Sequence, residues 1–276
     1  MDKIVLNSFA KINFGLNIIS KRTDGYHNIE TIFYPVKLHD ILTIEKSNSF
    51  HFQSNSEALT SETGNLIIKA KYLLERYLNK TFSIDINLQK NIPIGAGLGG
   101  GSSNAASTLM ALNELFKINL AKEELFNIAV QLGSDTPFFL DTKPMFAEKR
   151  GEALQPTNFK INYPILIINP GIHVSTPWAY SKIIPKRPEC SLNKIVEEGF
   201  KDFSELKGII VNDFEKIVFE KFPEIKEIKN NLYKLGAQFA LMTGSGSTVF
   251  GIFSNLEKTK KAEKVLSEKY FTFVHL

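Results

Sequence analysis

The sequence predicts an α+β protein of two domains, and three observations carry that prediction. Strand-like segments with a two-residue apolar period and helix-like segments with a 3.6-residue period are mixed along the chain. A glycine-rich loop near residue 95 joins a strand-like segment to a helical one. A polar stretch at Thr157–Asn162 then sets the apolar segment "YPILIINP" apart from what precedes it. The expected division is 1–157 and 158–276, with the active site in the cleft between the two domains.

Residues 4–19, "IVLNSFAKINFGLNII", read as two β-like stretches about a polar centre. "RTDGYHN" reads as a turn with Asp24-Gly25 at its tip. "IETIFYPV" and "ILTIEKS" follow as separate strands. In "NLIIKAKYLLERYL" the residues Leu66, Ala70, Leu73, Leu74 and Tyr77 recur at helical spacing, which predicts an amphipathic helix. Phe82, Ile84, Ile86 and Leu88 alternate, so "FSIDINL" is a half-buried strand leading to the glycine loop. "SSNAASTLMALNELF" and "AKEELFNIAVQLG" are helices, the second closed by Gly133. The last third holds a helix at "PEIKEIKNNLYKLG" and strands "AQFALMTG" and "STVFGIF" about a Gly/Ser turn. A lysine-rich helix and the strand "YFTFVHL" complete it.

A chain of 276 residues with 43% hydrophobic and 22% charged residues can bury a real core. The formal charge of +4 is small and its lysines are dispersed among acids, as in "EKTKKAEK". Nucleic-acid binding wants a concentrated basic face, so no nucleic-acid partner is expected. Cys190 is the single cysteine, which rules out an intramolecular disulfide and a cysteine-built metal site. Asp2, Lys3 and Lys11 interrupt the N-terminal segment, and no later run is long and apolar enough to span a bilayer. The expectation is a cytoplasmic protein, monomer or homodimer, with no membrane partner.

"PIGAGLGGGSSNAA" carries the most chemistry. Five glycines lie within Gly95–Gly101, followed by Ser102, Ser103 and a helix. Removing side chains exposes backbone N–H groups, and the helix start adds free donors and the positive end of its dipole. Such a loop is a cradle for polyphosphate. The spacing Gly95, Gly97, Gly100 also matches a dinucleotide fingerprint, but that motif belongs after the first strand of a βαβ unit with an acid about 20 residues on. Here several strands and a helix come first, and Glu114, Glu123 and Glu124 sit in helical patterns. No Gly-Lys-Ser/Thr follows, so a Walker A loop is absent as well.

The loop, Pro-x-Gly-x-Gly-Leu-Gly-Gly-Gly-Ser-Ser, resembles the second signature of the GHMP kinases (galactokinase, homoserine kinase, mevalonate kinase, phosphomevalonate kinase). "LMTGSGSTVFGIF" at Leu241–Phe253 resembles their C-terminal signature. Within that superfamily the chain most resembles the kinases that phosphorylate the 2-hydroxyl of 4-(cytidine 5′-diphospho)-2-C-methyl-D-erythritol in non-mevalonate isoprenoid synthesis. The likeness is carried by "AKINFGLNI" (Ala10–Ile18), "RTDGYHNIET" (Arg22–Thr31), "GGGSSNAA", "GSDTPFFL" (Gly133–Leu140), "RGEAL" (Arg150–Leu154) and "NDFE" (Asn212–Glu215). It implies a ribosomal-S5-like N-terminal domain and a ferredoxin-like C-terminal domain. It also implies ATP as phosphoryl donor, Mg²⁺ on the phosphates, and a small cytidine diphosphate compound as acceptor.

The resemblance assigns roles residue by residue. By itself Asp135 reads equally as a turn or N-cap aspartate before Pro137 and as a catalytic base; the resemblance makes it the base for the acceptor hydroxyl. Lys11, a strand lysine that by itself would face solvent, becomes the cation beside Asp135. Tyr26 and Tyr180 would sandwich cytosine, with Trp178 as the alternative second ring, and His27 would read the base edge. Asn13 would sit near the reacting end, with Thr176 and Pro177 on the wall. On the ATP side the resemblance implies Asn65, Leu66, Lys90, Pro93, Gly95, Ala96, Gly97, Leu98, Gly99, Gly100, Gly101, Ser102, Ser103, Gly244 and Ser245. Ser103 is a candidate Mg²⁺ ligand. The sequence departs from the family pattern at Asn91, Ser134, "DTKPMF" and Lys149, which bears on loop shape near Asp135. The alternatives are another GHMP small-molecule kinase, acting on mevalonate, homoserine or a sugar, and an ATP-binding regulator without catalysis.

Overall fold

The computed structural model describes residues 2–59 and 64–276. In chain order the elements are β1 (Lys3–Lys21), β2 (His27–Lys46), β3 (His51–Ser54), α1 (Leu66–Leu78), β4 (Ile84–Gln89), α2 (Gly100–Leu115), α3 (Lys122–Leu132), β5 (Met145–Lys149) and β6 (Ala153–Pro156). There follow β7 (Ile165–Asn169), α4 (Thr176–Lys182), α5 (Leu192–Glu198), α6 (Glu215–Lys221), α7 (Pro223–Lys234), β8 (Ala237–Met242), β9 (Val249–Phe253), α8 (Leu256–Leu266) and β10 (Phe271–His275). They form two compact units, each built from more than one segment. The first comprises Met1–Ala10, Leu38–Ile94 and Gly99–Thr142, and the second Lys11–Lys37, Gly95–Leu98 and Lys143–Leu276.

Two expectations are corrected at the start. Residues 4–19 are one strand instead of two, and the next two expected strands are likewise one, β2. Two of the polar residues at those expected breaks, Ser8 and Asp40, are buried and bonded inside the strands. Ser8 Oγ donates to Ser107 Oγ at 2.8 Å, and Asp40, fully buried, accepts three hydrogen bonds. Extended backbone tolerates a buried polar side chain once its partners are supplied.

In the first unit β4 runs antiparallel to β2 over Ile41–Lys46 and parallel to β3. The alternation of β4 is as predicted: Ile84, Ile86 and Leu88 are buried between exposed neighbours. They share a core with Leu74 of α1, Leu109 and Leu112 of α2, and Ile128 of α3. Truncating any one of these to alanine costs about 2–5 kcal/mol. α1 is rotated from its expected face. Ile67, Ile68, Ala70, Lys71 and Leu74 are buried, whereas Tyr77 is exposed. Lys71 goes inside because Glu75 binds it at 2.7 Å and the rings of Phe50 and Tyr72 lie 4.5 and 4.4 Å from its ammonium.

In the second unit the hairpin β5–β6 pairs with β2 over Ile29–Phe33. A separate four-stranded antiparallel sheet has the order β10–β7–β9–β8, with α7 and α8 packed on it. This order, with a helical connection between the first and second strands and between the third and fourth, is ferredoxin-like. β7 and β9, central and buried throughout, pack Leu166, Ile168, Val249 and Phe253 against Ile225, Ile228 and Leu232 of α7 and Ala262 of α8. No helix among the described residues is long and apolar enough to cross a membrane.

Candidate active site

The strand β4 delivers the chain to the glycine loop through an anchored segment. Asp40 accepts from Lys90 Nζ at 2.6 Å and from the backbone N–H groups of Asn91 and Ile92 at 2.7 and 2.8 Å. Burial pulls the Lys90 pKa below its ordinary value, with the Asp40 charge opposing that pull. A Cβ added at Gly100 would meet Lys90 Nζ at 3.0 Å, so this ammonium lies against the first residue of α2.

α2 starts without a side-chain cap. Gly99 occupies the N-cap position in the left-handed region, φ 71°, and makes no side-chain cap bond to the first-turn N–H groups. Those N–H groups are therefore donors for an incoming anion. Ser102 and Ser103 lie in this first turn, Ser102 half-buried and Ser103 buried. The start of α1 sits alongside, since a Cβ at Gly101 would touch Leu66 Cδ1 at 3.4 Å. Asn65 caps α1, its Oδ1 accepting from Ile67 N at 3.0 Å and its Nδ2 donating to Leu59 O at 3.1 Å. Pro93, half-buried, precedes the loop.

Asp135 follows α3, immediately before a turn of 3-10 helix at Thr136–Leu140 that packs on α2 and α3. It stands at the N-cap position, yet its backbone is helical and its side chain makes no capping bond. Capping is therefore not what this carboxylate does. Beside it, Thr136 Oγ1 is buried without a hydrogen-bond partner. A Cβ at Gly133 would lie 3.2 Å from that hydroxyl and 3.9 Å from Ser102 Oγ, which puts the Asp135 turn near the first turn of α2.

In the second unit Lys11 is buried on β1. Its Nζ donates to Asn13 Oδ1 at 2.6 Å and to Gly97 O at 3.2 Å, and lies 5.2 Å from the Phe33 ring centroid. The backbone adds Lys11 N to Leu98 O at 3.0 Å and Thr248 N to Ala96 O at 3.4 Å. The β8–β9 turn meets the loop backbone to backbone: a Cβ at Gly97 would fall 2.4 Å from Thr243 O, and one at Gly244 3.0 Å from Gly97 O. Asn212 Nδ2 holds this turn through Met242 O and Gly244 O at 2.7 and 2.9 Å. Ser245 Oγ is 2.8 Å from Thr176 Oγ1 at the exposed start of α4, where Pro177 follows. Gly95 lies beside His173, whose Nδ1 would be 2.7 Å from an added Cβ.

The expected acceptor residues are grouped less evenly. Tyr26 is exposed at the tip of the Arg22–His27 turn, with the Arg150 guanidinium 4.8 Å from its ring centroid. His27 stacks on Tyr180 with centroids 4.9 Å apart and planes at 27°. Burial, then the charge of Lys21, lowers the His27 pKa. The edge of Phe214 closes on Tyr180 at 4.9 Å. Trp178 instead carries the Lys221 ammonium 4.1 Å from its ring centroid and meets Phe222, away from that stack.

Three supporting residues were absent from the expected set. Thr31 and Thr243 bond Asn13, and Asn212 holds the turn at Gly244. All three lie in segments that carry the family resemblance, but none was singled out: Thr31 closes "RTDGYHNIET", Thr243 lies in "LMTGSGSTVFGIF" and Asn212 opens "NDFE". In that run Asp213 Oδ2 accepts from Ile18 N at 2.7 Å and Glu215 Oε1 from Met242 N at 2.9 Å, so the run braces β1 and the β8–β9 turn.

Residues 65–142 match the family model for the GHMP kinases N terminal domain, and 193–271 match that for GHMP kinases C terminal. The chain is 46% identical over 260 residues to a 4-diphosphocytidyl-2-C-methyl-D-erythritol kinase of Bacteroides fragilis, covering 92% of this chain and 93% of that one. It is 38% identical to the like-named protein of Chlorobium phaeobacteroides, covering 98% and 93%. A crystal structure of a 4-(cytidine 5′-diphospho)-2C-methyl-D-erythritol kinase superposes with a TM-score of 0.82 at 32% identity, covering 99% of this chain and 98% of that one. A Methanococcus jannaschii mevalonate kinase shares the fold, with a TM-score of 0.75 at 16% identity, covering 99% and 98%.

Proposed function

Since the chain belongs to the 4-diphosphocytidyl-2-C-methyl-D-erythritol kinases, a family of GHMP kinases, we propose that it phosphorylates the 2-hydroxyl of 4-(cytidine 5′-diphospho)-2-C-methyl-D-erythritol with ATP. The product is a precursor in the non-mevalonate route to isoprenoids. The observation that carries the assignment is identity of 46% sustained over 92% of the chain. We place the boundary between the two family domains at 157/158, inside the 143–192 stretch that neither family model covers.

In this reading the triphosphate rests on the amides of Gly95–Gly101 and the uncapped first turn of α2, with Gly244 and Ser245 closing from the β8–β9 turn. What supports it is the absence of side chains where backbone must approach the anion, together with the dipole of a 16-residue helix. Asn65 and Leu66 border the adenine. Lys90 keeps the loop's entry in place through Asp40. The hydroxyls of Ser102 and Ser103 are hard oxygen donors of the kind Mg²⁺ accepts, so Ser103 would hold the ion together with the phosphate oxygens. Mg²⁺ supplies charge neutralisation to the transferring group.

Asp135 takes the proton of the acceptor hydroxyl as its oxygen bonds to the γ-phosphorus and the bond to ADP breaks. Lys11 offsets charge on the transferring phosphoryl. Tyr26 and Tyr180 face the cytosine, His27 reads its edge, and Asn13, Thr176 and Pro177 position the remainder.

The deciding experiment offers the purified protein ATP with the cytidine compound, mevalonate, homoserine or galactose, and follows ADP release and the ³¹P signal of a new phosphomonoester. Turnover of the cytidine compound alone is expected. Turnover of a rival with none of the cytidine compound ends the assignment.

A further inference from the structure

We propose that Thr31 is a positioning residue for phosphoryl transfer, fixing the amide of Asn13 in the one orientation that lets it hold the Lys11 ammonium. Thr31 is fully buried on β2. Its hydroxyl has a single proton, which goes to Gly15 O at 2.5 Å. Toward Asn13, 3.0 Å away, Thr31 can therefore only accept, so the NH₂ of that amide must face it. The Asn13 oxygen then points the other way, to Lys11 Nζ at 2.6 Å. An ammonium can only donate, so the far end of the chain demands the same orientation independently.

The result is a directed relay, with Lys11 donating to Asn13, Asn13 to Thr31, and Thr31 to the Gly15 carbonyl. Thr243 adds a second restraint, its Oγ1 accepting from Asn13 N at 2.8 Å and lying 3.3 Å from Asn13 Oδ1, to which it can donate. The relay leaves Nζ at the Gly97 carbonyl, in the phosphate loop. Without the Thr31 hydroxyl the NH₂ loses its acceptor. The amide can then turn and present hydrogens to the ammonium, pushing Nζ off station. A displaced charge at a reacting centre costs rate more than binding.

The inference rests on the reading of Lys11 as catalytic, and the test separates the two. Thr31→Val keeps shape and removes the hydroxyl, whereas Thr31→Ser keeps it. The valine variant is expected to lose kcat roughly 10–100-fold with KM for ATP within about threefold, and the serine variant to recover kcat within about threefold. Combining Thr31→Val with Asn13→Ala should lower kcat no further than Asn13→Ala alone, because both act through one amide. A folded valine variant with wild-type kcat, or additive losses in the pair, overturns the proposal. Should the valine variant fail to fold, Thr31→Cys, similar in size but a weak acceptor, is judged by the same kcat criterion. Full turnover in Lys11→Ala removes the catalytic reading itself. Loss in Lys11→Ala with none in Thr31→Val removes only this inference.

Discussion

Gly97 and Thr243 meet with no room for a side chain between them: any Cβ at position 97 would fall 2.4 Å from the Thr243 carbonyl oxygen, and Gly97 itself sits at φ +77°. Two separate costs attend its replacement. The left-handed backbone costs a non-glycine residue about 1–2 kcal/mol wherever it occurs. The collision is specific to this contact.

Gly171 separates the two costs. It has φ +72° but nothing within 4 Å of an added Cβ. Gly171→Ala should therefore lose only about 1 kcal/mol and keep its activity. Gly97→Ala should lose at least about 2 kcal/mol more and drop kcat/KM for ATP by roughly tenfold or greater. Thermal unfolding and steady-state kinetics on both variants check this. Equal losses would mean the loop relaxes freely around a methyl group.

The proposed roles of Asp135 and Lys11 are each open to substitution. Asp135→Ala should lower kcat roughly 10²–10⁴-fold while ATP affinity measured by calorimetry stays within about threefold. Lys11→Ala should lose a similar amount, and the double variant little more than either. Unchanged turnover in Asp135→Ala would refute its role as base, since no capping bond is there to be lost instead.

What could be read in advance follows from which interactions are local. The strand at Phe82–Leu88 was legible because alternation is written in consecutive residues, and the glycine loop because so many glycines in one turn imply close backbone approach. Lys71 was not, because a lysine argues for solvent until Phe50, 21 positions earlier, is known to cover it. Lys90 was read as an ATP-side cation, and its partner Asp40 lies 50 residues away on β2. Thr31 and Thr243 lie in segments that resemble the family, but their role was not legible, since a buried hydroxyl becomes meaningful only once the lone pair it offers has an address.

Tyr26 is too exposed to matter to the core, so its replacement should separate recognition from stability. Tyr26→Ala is expected to raise KM for the cytidine compound about tenfold, equivalent to about 1.4 kcal/mol of stacking, with kcat and KM for ATP nearly unchanged. Tyr26→Phe should behave as wild type because the ring face, not the hydroxyl, carries the contact. An unaltered KM in the alanine variant would remove Tyr26 from the base pocket.

Lys149 lies in the left-handed region at φ 58°, at the end of β5, a backbone conformation that favours glycine. Glycine there relieves about 1–2 kcal/mol of backbone strain but makes the unfolded chain more flexible by roughly 0.4–1 kcal/mol. The balance predicts that Lys149→Gly is the more stable protein by about 0.5–1 kcal/mol, a rise in Tm of about 1–3 °C. A lower Tm would mean that contacts of the lysine side chain outweigh the strain.

His275 gives the fold an acid-sensitive joint. Its Nδ1 accepts from the Lys37 backbone N–H at 3.0 Å, which requires a neutral ring protonated on Nε2. Burial first, and the charge of Lys37 second, lower its pKa from 6.5 to about 4. Between those values the unfolded chain binds a proton that the folded chain refuses, so stability is complete above about pH 6.5 and falls as pH drops toward about 4. Because the ring is partly exposed, solvent screening reduces the expected loss to about 1–2 kcal/mol. His275→Asn offers an acceptor that does not titrate, so its stability should change less across that window. Urea unfolding at several pH values measures the difference directly. Parallel pH profiles for the variant and the parent would show that this imidazole does not set the acid limb.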